Sequence, residues 1–338
     1  MIKAAVIRNF NEKLKFVRIK TPELLEGQVL VKNKFTSICG SQIFEINGGR
    51  KNKNFLPHML GHESSGVVIA VGKGIKKVKK KDKVFLSWIL SSGKDAKAPK
   101  FEKGINSGKI TTFSNYSIVP ENRVNLIPKK IDYKTASLLG CALPTGAGIV
   151  FNQINIKKNL NVCIIGVGGV GISALLALIF FGVNKKNITV IDNNLSRINY
   201  LKKFNEFKGI NFQSTIYNKD KFNNFFYDYI VECSGKSRQI ELSLDRIKNT
   251  GKVIFASHPH KDERLKINPF DLILGKKIEG SWGGLVKFDR DIKYLVKIIK
   301  KFKNINKIFF NKVYDFNSIN IAIRDMKLGK VIRPLIKF

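Results

Sequence analysis

The stretch from Val162 to Asp192 constrains this chain more than any other. An apolar run, Val162-Cys-Ile-Ile165, leads straight into Gly166-x-Gly168-x-x-Gly171, and the apolar segment GISALLALIFFG follows. Strand, glycine turn and long helix in that order open a nucleotide-binding βαβ unit. Gly166 allows the tight turn, Gly168 lets the backbone approach a pyrophosphate, and Gly171 lets the helix pack on the sheet. The helix start at Gly169 and Val170 offers free N–H groups and the positive end of a dipole to phosphate. A second apolar run, ITVI, ends at Asp192. That acid lies roughly 20 residues past the last glycine, the spacing for a carboxylate that binds the adenosine ribose hydroxyls. It would repel a 2′-phosphate, and Asn193 rather than Arg follows it, so NAD is expected rather than NADP.

The same alternation continues downstream. Strands are expected at 229–233 and 252–256, with helices near 195–204 and 238–247, the pattern of a doubly wound parallel sheet. The region before 142 differs. Short apolar runs at 28–32, 66–71 and 83–87 are punctuated by glycines and charged turns, which reads as β-rich. After 283 the chain returns to a helix near 291–302 and short strands. The fold class is therefore α/β. Residues 143–282 form a dinucleotide domain inserted into a discontinuous β-rich domain made of 1–142 and 283–338, consistent with a length that exceeds one typical domain.

Composition narrows the rest. With 43% hydrophobic residues the chain can bury substantial cores. Its formal net charge of +36 would suit a polyanion partner. The lysines are spread along the whole chain, however; only 76–83 forms a cluster, and no nucleic-acid-binding module accompanies it. Nucleic acid is not expected as a partner, while anionic small molecules would be favoured. The four cysteines are widely spaced and do not form a disulfide framework. The N-terminus lacks a signal-peptide core, and the longest apolar run, 172–183, is shorter than the ~20 residues that span a bilayer. A soluble cytoplasmic protein is expected.

Cys163 lies in the first strand of the dinucleotide domain and reads as a buried small hydrophobe; Cys233 reads the same way. Cys39, His62 and Cys141 remain. Two thiolates and an imidazole suit zinc, and three protein ligands leave a fourth position open for substrate. No CxxC or HExxH pattern is present, so spacing alone leaves the metal site undecided.

Several stretches resemble the zinc-containing alcohol dehydrogenase family of the medium-chain dehydrogenases, in particular its classical and glutathione-dependent branch. Ser37-Ile-Cys-Gly-Ser41 and Gly61-His-Glu-Ser-Ser-Gly66 resemble its two zinc signatures. Thr112-Phe-Ser-Asn-Tyr116, Leu138-Leu-Gly-Cys141, Gly280-Ser-Trp-Gly-Gly284 and the terminal Gly329-Lys-Val-Ile-Arg-Pro334 agree, in order, over nearly the whole chain. The resemblance implies a GroES-like catalytic domain around the Rossmann domain, with one catalytic zinc on Cys39, His62 and Cys141. It also implies reversible oxidation of an alcohol to an aldehyde or ketone with NAD. Glu63 would lie behind the metal, Ser41 would take the substrate proton, Arg333 would reach the coenzyme pyrophosphate, and Arg197 would lie near the adenosine ribose. A homo-oligomer, dimer or tetramer, is the corresponding expectation.

Three departures stand out. Residues 88–110 contain no cysteine, so the second, structural zinc of many relatives is not expected. Gln42 stands where the family usually has Asp, and Phe44 replaces the His that often ends the proton relay. His58 is a further candidate for the substrate site. Two alternatives stay open: a polyol or nucleotide-sugar dehydrogenase of the same superfamily, and a zinc-free nucleic-acid-binding relative.

Overall fold

A computed structural model of the chain describes residues 1–50, 53–102, 104–214, 226–260 and 262–338. It contains two compact units: residues 1–141, 287–296 and 305–338 form the first, and 142–286 with 297–304 the second. In the first unit the strands are Ile2–Ile7 (β1), Lys15–Ile19 (β2), Gln28–Ser37 (β3), His58–Met59 (β4), Glu63–Val71 (β5), Lys83–Ser87 (β6), Tyr116–Pro120 (β7) and Val124–Leu126 (β8). The second unit holds Val162–Ile165 (β9), Ile188–Ile191 (β10), Asn211–Gln213 (β11), Tyr227–Glu232 (β12), Ile247–Phe255 (β13) and Lys277–Gly280 (β14). Val313–Asp315 (β15) and Leu335–Lys337 (β16) return to the first unit.

The first unit has a three-stranded sheet, β2-β1-β4, and a seven-stranded sheet in which β15-β16-β3-β5-β6-β8 run side by side and β7 pairs with β3. The long strand β3 is the hinge of this arrangement. It pairs antiparallel with β5, β7 and β16, because its Val29 and Val31 belong to a core with Val68, Val84, Leu86, Val119 and Val124. Burial of that set is the main driving force for closing the sheet.

In the second unit the six strands are all parallel, in the order β11-β10-β9-β12-β13-β14. Counted within the unit this is 3-2-1-4-5-6, the Rossmann order, whose direction reverses between the first and fourth strands. Strands β9 and β10 are buried at every position, as expected when both faces are covered.

Several boundaries differ from the sequence reading, among them the following. The helix expected to reach 247 ends at Leu244, and Ile247 already pairs with Tyr227 in the sheet. Residues 283–286 fall in the second unit rather than the first, because Asn152 donates its amide to the Gly284 carbonyl (2.9 Å), tying that turn to the helix Ala142–Gln153. Among the described residues no single helix is long and apolar enough to cross a membrane.

Candidate metal and dinucleotide sites

The strand pairing of the first unit brings three distant residues together. Thr36 of β3 faces Ser64 of β5. Continuing along both strands reaches Cys39, which caps the helix Gly40–Ile46, and His62, just before β5. Glu63 in turn faces Ser87 of β6, whose hydroxyl donates to the Gly140 carbonyl (2.8 Å) and sets Cys141 at the end of the turn Ser137–Gly140. Gly61 has φ +92°, and a Cβ there would lie 2.4 Å from the Thr112 hydroxyl. Only glycine satisfies that position.

The metal-binding atoms of Cys39, His62 and Cys141 all lie within 4.8 Å of one another. His62 Nε2 is buried without a hydrogen-bond partner. The Cys141 thiol donates to Cys39, and with His62 and Arg333 nearby this holds Cys39 well below the usual thiol range despite its burial. The Cys39 contact and burial push Cys141 well above that range. Two sulfurs beside an unpaired imidazole nitrogen form a donor set suited to a divalent zinc ion.

Behind this cluster lies a buried ion pair. Glu63 is fully buried, and Arg333 is 2% exposed. The guanidinium bonds the Glu63 carboxylate, the Ser37 hydroxyl donates to the same carboxylate, and Arg333 Nε donates to Ser37 Oγ at 3.1 Å. Burial raises the Glu63 carboxyl against the pull of Arg333. For Arg333, burial works against its charge, but Glu63 and the two cysteine sulfurs raise it overall. In this structure the contacts of Arg333 are Glu63 and Ser37. A carboxylate cut off from water is stabilised by the cation beside it.

The other candidates of the first unit separate. Ser41 is half-buried in the first turn of the helix that Cys39 caps. Gln42 touches His62: its Nε2 is 3.0 Å from His62 Nδ1, and its Oε1 accepts the Gly61 N–H at 2.5 Å. No signal in the sequence around Gln42 alone distinguishes that role from ordinary burial. His58 joins neither the surface nor the cluster. It is buried, with Nε2 3.2 Å from Glu45 and Nδ1 2.7 Å from the Met59 carbonyl, beside a cavity of about 160 Å³ that Phe10, Arg50 and Phe55 also line.

In the second unit the glycine turn has the expected geometry. Gly166 has φ +88°, and a Cβ on Gly171 would lie 2.0 Å from the Gly166 carbonyl oxygen. A Cβ on Gly168 would meet nothing within 4 Å, so the backbone there is open to a ligand. Gly168 caps the helix that begins with Gly169 and Val170. Asp192, 4% exposed, follows β10. One of its oxygens accepts the Val167 N–H and the other the Asn194 N–H, both at 2.8 Å, and Arg197 lies 4.0 Å away. The link from Asp192 to the glycine turn was not visible in the spacing. Cys163 is buried in β9, and neither it nor Cys233 joins a metal-binding cluster among the described residues.

Comparison with known proteins agrees with this geometry. Residues 25–129 match the alcohol dehydrogenase GroES-like domain. The chain is 26% identical to the S-(hydroxymethyl)glutathione dehydrogenase of Haemophilus influenzae, with 99% of this chain and 97% of that protein covered. It is 25% identical to the class-2 alcohol dehydrogenase isozyme 2 of Oryctolagus cuniculus, with the same coverage of both chains. Its fold matches the crystal structure of benzyl alcohol dehydrogenase from Acinetobacter calcoaceticus with a TM-score of 0.87 at 23% identity, covering 100% of this chain and 99% of that one. With a GroES-like domain over residues 25–129, a Rossmann strand order and a Cys-His-Cys cluster, the chain is similar from end to end to zinc-containing alcohol dehydrogenases.

Proposed function

We propose that this protein is a zinc-dependent dehydrogenase that exchanges hydride between an alcohol and NAD, interconverting the alcohol with its aldehyde or ketone. The observation that carries this reading is the convergence of Cys39, His62 and Cys141, with the His62 Nε2 atom buried and unpaired. These three residues would hold one zinc per chain. Lewis-acid polarisation of a substrate oxygen is the chemistry that zinc supplies when bound, and hydride acceptance is what NAD supplies.

The remaining chemistry belongs to the chain. The Ser41 hydroxyl, two residues from Cys39, takes the proton of the substrate hydroxyl in oxidation and returns it in reduction. Phe44, a ring without a titratable group, cannot continue a relay inward, so the Ser41 proton passes to solvent. Glu63 with Arg333 forms a fixed charge pair behind the ligands. The turn Gly166–Gly171, with Gly168, Gly169 and Val170 at its open side, cradles the pyrophosphate, while Asp192 and Arg197 hold the adenosine ribose.

The reading extends to the surroundings. Small-molecule alcohols and carbonyls are the partners, and four free thiols suit the reducing cytoplasm. A homo-oligomer is favoured by β14, an edge strand of the parallel sheet, and by the adjoining helix Pro269–Ile273, where Phe270 is 59% and Ile273 77% exposed. Unpaired strand edges and clustered apolar side chains are interaction surfaces.

Purified protein is expected to carry one zinc per chain and to form NADH from a panel of simple alcohols faster than from polyols, followed by absorbance, and to sediment above monomer mass. Full activity in a zinc-free preparation would overturn the reading.

A further inference from the structure

The hydrogen bonds around Gln42 dictate where the His62 ring proton sits. Gln42 is 3% exposed, so its amide has no water to satisfy it. An amide presents one acceptor, the oxygen, and one donor group, the nitrogen. The Gly61 N–H is held in place by its φ of +92°, and it points at Gln42 Oε1, 2.5 Å away. Only an oxygen can accept that N–H, so the amide orientation is fixed. The amide NH₂ then faces His62 Nδ1 at 3.0 Å. Nδ1 must accept, and in a neutral ring the proton is on Nε2. Yet Nε2 is the ring atom left buried without a partner beside Cys39 and Cys141, and a metal needs its lone pair.

We propose that Gln42 is a positioning residue that holds His62 in the Nε2–H tautomer, so that metal capture requires the Gln42 amide to turn over. In the second arrangement Nε2 loses its proton to water and Nδ1 gains one from water, leaving the ring neutral. Gln42 Oε1 then accepts from Nδ1–H. The amide NH₂ meets the Gly61 N–H, two donors face each other, and that backbone group loses its acceptor. A carboxylate of the same length has an acceptor oxygen for each donor and suffers no such conflict. Gln42 therefore weakens the grip on zinc. Partners that orient a ligating histidine change metal affinity by about 10- to 100-fold, and a gain in that range is expected for Gln42→Glu.

The inference rests on the proposed zinc site, and one pair of measurements separates the two. The full chain, labelled with ¹⁵N-histidine, is compared after chelator treatment and after zinc loading by long-range ¹H–¹⁵N NMR. With four histidines in the chain, single His58→Asn, His258→Asn and His260→Asn variants identify the His62 signals. The expected result is Nε2–H after chelation and Nδ1–H after zinc loading. Zinc affinity, read by competition with a chromophoric chelator, is expected to rise at least about 10-fold in Gln42→Glu. A ring already in the Nδ1–H form after chelation overturns the inference and leaves the zinc site standing; so does an unchanged affinity in a folded Gln42→Glu protein. Absence of zinc uptake by the unsubstituted chain overturns the zinc site and the inference together. The tautomer measurement needs no substitution at position 42, so it decides the matter even where that variant fails to fold.

Discussion

Two buried carboxylates, Glu63 in the first unit and Asp192 in the second, are held in opposite ways, Glu63 through one oxygen only, since its Oε2 is buried without a hydrogen-bond partner. Glu63 is held by a cation and a hydroxyl, Arg333 and Ser37. Asp192 is held by the backbone, through the N–H groups of Val167 and Asn194, with the Arg197 guanidinium only at 4.0 Å. The first arrangement stores a full charge pair without solvent, next to a cluster proposed to bind a dication. The second fixes the shape of a turn and leaves lone pairs over, since a carboxylate has about four acceptor positions. Glu63 thus works by electrostatics and Asp192 by geometry with spare accepting capacity, which is what a residue facing ribose hydroxyls needs.

The sharpest way to break this contrast is to remove one partner of the pair. Arg333→Met leaves the Glu63 charge buried and unpaired, and a loss of about 3–5 kcal/mol in unfolding free energy is expected by denaturant titration. Adding Glu63→Gln should restore part of it. A single substitution costing under about 1 kcal/mol would mean that the pair is not a charge pair in the folded protein.

Asp192→Ala tests the other side. It removes a charged acceptor, and hydrogen bonds to charged groups contribute about 1.5–3 kcal/mol. The preference for NAD over NADP, measured as a ratio of kcat/KM values, should narrow by roughly tenfold or more. An unchanged ratio would leave Asp192 with the turn alone.

The smallest effect concerns a third carboxylate, Glu121, which sharpens the comparison. It resembles Asp192 in being held by backbone: it accepts from Lys76 and Lys77 N–H at 2.6 Å and from Lys94 N–H at 2.7 Å. These bonds tie the cysteine-free stretch after Trp88 to the loop before β6. Burial pushes the Glu121 carboxyl up, but these N–H donors and the Lys77 ammonium bring it below the ordinary range. A depressed folded-state value means the stabilisation is complete above the ordinary carboxylate range and is lost as pH falls through the depressed value. Glu121→Gln should cost about 1–2 kcal/mol at neutral pH and flatten the acid limb of stability against pH; an unaltered acid limb would assign that limb to other groups.

How much of this was legible in advance varied by residue. The dinucleotide turn was plain because its parts are neighbours: the glycines lie within six positions, and the helix follows at once. Nothing in that stretch announced that Asp192 also reaches the Val167 N–H, since a bond from strand end to turn depends on how two parallel strands align. Cys39, His62 and Cys141 carried suitable chemistry, but only the resemblance grouped them. Gln42 appeared as a missing carboxylate; the structure shows it to be a side chain with a definite, and opposed, hydrogen-bonding role. Arg333 was expected at the coenzyme pyrophosphate from its motif; nothing in the sequence announced that the buried Glu63 is its partner.

The sequence by itself determined the parallel sheet, the glycine turn and the identity of the donor atoms, because hydrophobic periodicity and local turn chemistry act over a few residues. Only the tertiary structure decided which donors meet. The register of β3, β5 and β6 brings the ligand atoms of Cys39, His62 and Cys141 to within 4.8 Å of one another, and the same packing buries Glu63, Arg333 and Gln42. Buried donors and acceptors strongly favour a partner within the protein, and that preference, which no linear spacing encodes, sets Arg333 on Glu63 and Gln42 on His62.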